Sequence, residues 1–213
     1  DRNFNKKKLM KKQTNEKQSN QTHIVFLEGL KFILNTDERT AILIGCHSNL
    51  NDLQIPNSIN YNAQIYFVTD ISEDQFETSS SVKSIQFQPN SKILTFPNCF
   101  LAFSMIESID IPPSIIDIKE GCFESTPKLF KFTIDPKNKY FTSYKNDFIL
   151  TKSTQESDEF DVLFFARRNI ERAIIPSFIK RITPFAFMNC TILDYVEIPS
   201  NSKLQIIGKY SFS

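Results

Sequence analysis

Two short apolar patterns recur along the chain from residue 82 onward. The first runs apolar, two residues, apolar, one residue, apolar: Val82, Ile85, Phe87; Ile106, Ile109, Ile111; Ile170, Ala173, Ile175; and Leu193, Val196, Ile198. Four or six positions later comes an apolar pair three apart, with a large apolar residue five further on: Ile93, Phe96, Leu101; Ile115, Ile118, Phe123; Ile179, Ile182, Phe187; and Leu204, Ile207, Phe212. Apolar residues at i and i+2 share one face of an extended chain, so the first half of each unit predicts a short strand. Equivalent positions lie 24 residues apart from Ile85 to Ile109, and 23 apart from Ile109 to Phe132 and from Ala173 to Val196. A near-constant period of this length predicts units that each bury an apolar face against the next.

Two further copies are partial. One begins at Leu129, Phe132 and Ile134, but an aromatic stretch through Phe141 and Tyr144 replaces its second half. The other begins at Leu50, Leu53 and Ile55 and resumes at Val68, Ile71 and Phe76. The gap from Phe132 to Ala173 is 41 residues and holds two β-prone runs, Phe148 to Leu150 and Val162 to Phe165, around a polar turn. This predicts an inserted hairpin at 148–165 that projects from the repeats, as a contact device or a tolerated insertion. A related segment, Lys31 to Cys46, precedes the Leu50 copy, so the Phe-Ile-Leu, polar turn, apolar strand design occurs twice.

A three-residue strand is not stable by itself. Stacking equivalent strands at roughly 4.8 Å pairs their backbone groups and aligns their side chains in core ladders. Proline follows the strand in most copies (Pro56, Pro89, Pro112, Pro136, Pro176, Pro199); it fixes φ, supplies no donor and turns the chain toward a second layer. That layer is predicted to be a brief strand or a 3₁₀ turn, with Phe123, Phe187 and Phe212 inserted between units as core rather than as a ligand cage.

These units resemble BspA-like, or treponema-type, leucine-rich repeats, whose motif runs close to L-x-x-I-x-I-P-x-S-[VI]-x-x-I-G-x-x-A-F-x-x-C. The unit at Ile170 is nearest, matching at Ile175, Pro176, Ile179, Ile182, Ala186, Phe187 and Cys190. The resemblance covers residues 49–213. It departs at the motif glycine, present as Gly208 but replaced by Pro97, Lys119 and Thr183, and at the alanine before phenylalanine, present once. The implied fold class is α/β or mainly β: a leucine-rich-repeat solenoid with parallel strands on one face, short strands or 3₁₀ turns on the other, and inserted β-hairpins. The expected organisation is a basic polar tail over 1–22, disordered; an N-terminal hairpin or partial repeat over 23–48; and the solenoid over 49–213. Phe-rich units interrupted by hairpins look most like surface antigens of parasitic protists and bacterial surface proteins implicated in adhesion.

Composition sharpens the picture at three points. Phe 21 beside Gly 4 and Trp 0 means that phenylalanine carries the core. The net charge of +1 conceals a basic N-terminus: residues 1–22 hold seven Lys/Arg against two Asp/Glu, leaving eighteen against twenty-two for the rest. A mildly acidic body argues against a nucleic-acid partner. The run Lys6 to Lys12 reads as a solvated polar tail rather than an import or lipid-binding signal. Cys46, Cys99, Cys122 and Cys190 form no CxxC pair, and only His23 and His47 could join them, so no metal is expected and buried thiols are the default reading over disulfides. No apolar run reaches the roughly 18 residues of a membrane span. The last unit closes after Phe212 without a polar cap, so an exposed solenoid end, with truncation or end-to-end association, is expected.

Chemistry is sparse. The chain has no Gly-rich phosphate loop, no nucleophile elbow and no HExxH, and the acids Glu156, Asp158, Glu159 and Asp161 read as a solvated turn. No catalytic, cofactor-binding or metal site is expected. The candidate partner-binding residues are the strand positions between core positions: Ser84, Gln86, Ser108, Asp110, Lys131, Thr133, Arg172, Ile174, Tyr195 and Glu197. Mixed charge with an exposed Tyr and Ile suits a protein or host-cell-surface ligand better than a polyanion. The expected function is a non-catalytic, surface-displayed or secreted adhesion or recognition scaffold; the alternative is a cytoplasmic scaffold whose lysine tail meets anionic lipid or directs import. Sequons at Asn20 and Asn189 add little.

Overall fold

The computed structural model describes residues 23–47, 50–73, 81–98, 100–101, 105–124 and 126–213. The tail over 1–22 with Asn20, and also Phe76 and Cys99, lie outside the described residues. Among the described residues the chain is built from strands, with no helix. It opens on β1 (His23–Leu27), β2 (Leu30–Asn35) and β3 (Thr40–Cys46), followed by β4 (Asp52–Ile55), β5 (Ser58–Tyr61) and β6 (Gln64–Ile71). Three units follow: β7 (Ser84–Phe87) with β8 (Thr95–Phe96), β9 (Ser108–Ile111) with β10 (Asp117–Ile118), and β11 (Lys131–Ile134). A second meander, β12 (Phe141–Tyr144), β13 (Phe148–Thr151) and β14 (Val162–Ala166), then leads into β15 (Arg172–Ile174), β16 (Arg181–Ile182), β17 (Tyr195–Glu197) and β18 (Ile206–Ile207).

The spacing seen in the sequence is the strand register. On one side β4, β7, β9 and β11 form a parallel sheet in which Leu53, Ile85, Ile109 and Phe132 are successive partners. Ala173 of β15 pairs with Val196 of β17 in the same way. On the other side the second half-units form two-residue parallel strands rather than 3₁₀ turns, pairing Phe96 with Ile118, and Ile182 with Leu163 on one side and Ile207 on the other. The fold is therefore a mainly β solenoid, and the α/β alternative falls away because each return path is too short and too β-branched to wind into a helix.

The inserted hairpin does not project. Strands β12, β13 and β14 pair antiparallel and form a wall across the solenoid, with β13 and β14 buried on both faces. One face sends Phe141, Ile149, Phe164 and Phe165 into the core of the preceding units, with Ile118, Phe123 and Phe132. The other sends Phe148, Leu150 and Leu163 into the core of the following units, with Ile179, Ile182 and Phe187. Apolar residues at consecutive positions, as in Phe148-Ile149-Leu150, point alternately to opposite faces, which is the signature of a strand covered on both sides; in β14 an irregularity at Phe164 breaks the alternation, so Phe164 and Phe165 both enter the preceding core. A projecting hairpin would leave one of those faces in water. The N-terminal meander repeats the design: β3 continues in parallel into β6, Leu43 meeting Ile71 as Leu163 meets Ile182.

Three buried polar side chains fasten the wall. Asn138 donates from Nδ2 to the Pro112 and Ile115 carbonyls and accepts at Oδ1 from the Tyr140 and Phe141 amides, fixing the path from β11 into β12. Arg168 is 3% exposed, lies 4.2 Å from the Phe165 ring centroid and donates to carbonyls before and after the wall. Asp161, expected in a solvated turn, is 2% exposed and pairs with Lys180 at 3.0 Å while accepting from the Ser153 amide and hydroxyl. Glu159 also reaches Lys180, at 3.1 Å, but from an exposed position, whereas Asp161 is carried inside at the mouth of β14.

Candidate functional site

Each proposed contact residue lies between two inward core positions of a strand, and the parallel register lines them up. Ser84, Ser108 and Lys131 form one row, extended by Asp52; Gln86, Asp110 and Thr133 form a second, with Gln54 as the preceding neighbour. Arg172 pairs with Tyr195, and Ile174 with Glu197. The ten positions divide between two sheets, the four-stranded β4–β7–β9–β11 and the two-stranded β15–β17. The wall separates them, and a backbone bond from the Arg168 amide to the Leu129 carbonyl bridges the interval.

The two groups differ in chemistry. The first carries hydroxyls, amides and one charge of each sign at Asp110 and Lys131, and its Ser84 hydroxyl donates to the Asp52 carboxylate. The second is aromatic and ionic. The Arg172 guanidinium lies 4.4 Å from the Tyr195 ring centroid, and the Tyr195 hydroxyl donates to Glu197 at 3.3 Å. A cation over a ring face and a hydroxyl held by a carboxylate restrict the rotamers of three adjacent side chains, which reduces the entropy lost on binding. Ile174, 53% exposed, supplies an apolar neighbour.

Proline placement builds a groove that the sequence pattern did not disclose. Where β7, β9 and β11 end, Phe87, Pro89, Pro112, Ile134 and Pro136 line a cleft of about 430 Å³ with Asp110 and Thr133 at its rim. The sequence showed these prolines only as strand terminators; the pairing of the strands brings their ends together, so that the separate stops line one apolar floor. Asn57 fixes its upstream edge, donating from Nδ2 to the Pro89 carbonyl and from its amide to Gln88.

A second feature also escaped the sequence reading. Phe185 and Tyr210, three residues after Ile182 and Ile207, adopt positive φ of 61° and 58° and stack with centroids 6.0 Å apart. Bulky residues rarely occupy that region, and no sequence signal announces it. Among the described residues no cluster of three or more His, Cys, Asp or Glu is arranged to hold a metal ion. Nor is any helix there long and apolar enough to cross a membrane. Cys122 is buried, while Cys46 and Cys190 are half-buried.

The sequence profile of the BspA type leucine rich repeat region matches the chain in 6 copies, over residues 45–147 and 158–213. The chain belongs to that family. The two matched blocks of this BspA-type chain take in both sheets that carry the contact positions. Its fold is similar to solved structures at low identity. The pneumococcal vaccine antigen PcpA is 15% identical, with 90% of this chain and 68% of that one covered and a TM-score of 0.38. A leucine-rich repeat protein from Eubacterium ventriosum is 13% identical, with 85% and 66% covered and a TM-score of 0.46. A leucine rich cell surface protein from Faecalibacterium prausnitzii is 15% identical, with 87% and 72% covered and a TM-score of 0.31. Comparison with curated proteins finds no significant match.

Proposed function

We propose that this BspA-type chain is a non-catalytic recognition scaffold, displayed at a cell surface or secreted, that holds a protein or cell-surface ligand against its outward strand rows. The observation that carries the reading is the in-register alignment of Asp110 and Thr133 in the lining of the proline-floored groove. A rigid apolar floor next to a row of hydrogen-bonding side chains suits an extended protein segment: the floor takes side chains while the row takes polar groups. Arg172 and Tyr195, already ordered by their mutual contact, are the residue types that most often anchor a protein interface. Surface display is supported by family membership and by the likeness of these Phe-rich units to surface antigens.

The test compares binding of the purified chain to intact cells with that of a variant carrying Asp110→Ala, Arg172→Ala and Tyr195→Ala. All three side chains sit outside the core, so the variant should melt with the parent. Loss of at least about tenfold in affinity supports the reading. Unchanged binding removes the strand face as the contact surface.

A further inference from the structure

Three steps of the second layer share one bonding arrangement. A carbonyl of one half-unit accepts two consecutive amides from the next, and the carbonyl two residues on accepts a third. The Leu94 carbonyl takes the amides of Ile116 and Asp117, and that of Phe96 takes the Lys119 amide. The Asp161 carbonyl takes the amides of Lys180 and Arg181, and that of Leu163 takes the Thr183 amide. The Lys180 carbonyl takes the amides of Gln205 and Ile206, and that of Ile182 takes the Gly208 amide. These bonds are what pair β10 with β8, β16 with β14 and β18 with β16.

Ile116 and Ile118 hold the two acceptor places on β10. Among the described residues no backbone amide donates to either carbonyl, and β10 is the edge of a two-stranded sheet. Asp117 and Lys119 direct their amides to β8, so the alternation of a parallel strand turns the amide and carbonyl of Ile118 the other way. The wall is the cause. Strand β14 carries the acceptors for β16, but its opposite edge is taken by β13, with Phe164 left as a bulge between Leu163 and Phe165. Between the unclaimed edge of β10 and the wall lies a cleft of about 340 Å³, lined by Ile116, Asp117 and Ile118 on one bank and by Phe141, Thr151 and Phe164 on the other.

We propose that this edge is a second docking site, across the solenoid from the strand rows, and that it takes an extended segment of a partner protein as an added parallel strand. The bonding arrangement identifies the occupant. Two carbonyls placed for the amides of residues n, n+1 and n+3, with the Ile118 amide between them to donate, are the complement of a peptide backbone. The segment must therefore have no proline at those three places. Its residue n+2 is apolar, as Ile118 and Ile182 are at the same place in their own coils, and meets Phe141 and Phe164. Its residue n+1 pairs with Asp117, as Asp117 pairs with Thr95, so a cation suits it there.

The probe is a synthetic peptide of residues 178–184, capped at both ends. It presents the amides of Lys180, Arg181 and Thr183 at n, n+1 and n+3, Ile182 at n+2, and an arginine to Asp117. Hydrogen exchange of the full chain, labelled with nitrogen-15, is followed residue by residue. With about 2 mM probe the Ile118 amide should exchange at least about fivefold more slowly. A probe N-methylated on the Arg181 and Thr183 nitrogens lacks two of the three donors and should leave that amide unchanged. Unaltered exchange at Ile118 with the first probe overturns the proposal, and so does equal protection by the N-methylated one. Protection of Ile118 that grows with the concentration of the chain alone would assign the edge to a second copy and overturn it as well.

Discussion

Nη2 of Arg168 donates to the carbonyl oxygen of Phe123 at 3.0 Å, across 45 residues of sequence, while Nη1 donates to the Ala186 carbonyl at 2.9 Å. One guanidinium therefore ties the coil before the wall to the coil after it. Burial lowers its pKa to about 10, so the group keeps its charge at neutral pH. Arg168→Ala removes the guanidinium's bonds to two buried carbonyls, which keep only the Thr126 hydroxyl and the Ala166 amide as donors, and opens a void beside Phe165; it should cost roughly 2–4 kcal/mol. Arg168→Lys should restore little, because an ammonium cannot span both acceptors in the plane of a fork. Urea unfolding reads the difference as a lowered midpoint at an unchanged slope.

Asp161 makes stability depend on acid. Burial pushes its carboxyl up, but hydrogen bonds from Lys180 and from the Ser153 amide and hydroxyl together carry it below the ordinary value of 3.8. The stabilisation is present in full above that ordinary value and disappears as pH falls through the lower, folded one. Asp161→Asn should therefore be less stable than wild type at pH 7, and the difference should shrink as the pH falls below the ordinary carboxylate value and through the lowered, folded one. Parallel denaturation curves at pH 7 and in acid check the narrowing.

Gly208 allows the last coil to close onto its neighbour. A Cβ there would lie 2.3 Å from the Pro184 nitrogen and 2.5 Å from the Thr183 carbonyl carbon, both backbone atoms that cannot swing away. Gly208→Ala should cost about 1–3 kcal/mol by pushing the coils apart. The loss should be local. Hydrogen exchange at the Gly208 amide, which donates to Ile182, should quicken while exchange at the Phe96–Ile118 ladder stays unchanged.

The Cys190 thiol is raised by burial, a shift that the nearby Arg168 cation only partly offsets. Because the thiolate is the reactive species, alkylation of Cys190 should stay slow at neutral pH and accelerate only above the ordinary thiol range. Peptide mapping after iodoacetamide treatment at stepped pH resolves this site from the other cysteines.

The solenoid was legible because its period is carried by the residues that meet. Ile85, Ile109 and Phe132 recur at 24 and 23 residues for the same reason that they pair. The wall was visible as two strands but not as a wall, since consecutive apolar residues are equally consistent with an exposed hairpin until the flanking coils supply a second core. Asp161 was misplaced because its partner, Lys180, lies on the next coil and leaves no local trace. The groove was hidden for the opposite reason: each proline's local role was clear, and only the folded chain brings Pro89, Pro112 and Pro136 to one cleft. The ten contact positions were readable as strand residues between core positions; their division between two sheets depends on the wall and was not.

The most direct test of the stacked register is methyl and aromatic nuclear Overhauser contacts in the labelled chain. Neighbouring strands about 4.8 Å apart bring their inward side chains within range, whereas strands two apart do not. Cross-peaks should link Leu53 to Ile85, Ile85 to Ile109, Ile109 to Phe132 and Ala173 to Val196, with none from Leu53 to Ile109. Contacts from Ile85 to residues outside Leu53, Ile109 and its own coil, with the Ile109 link missing, would contradict the fold and remove the rows on which the proposed binding face depends.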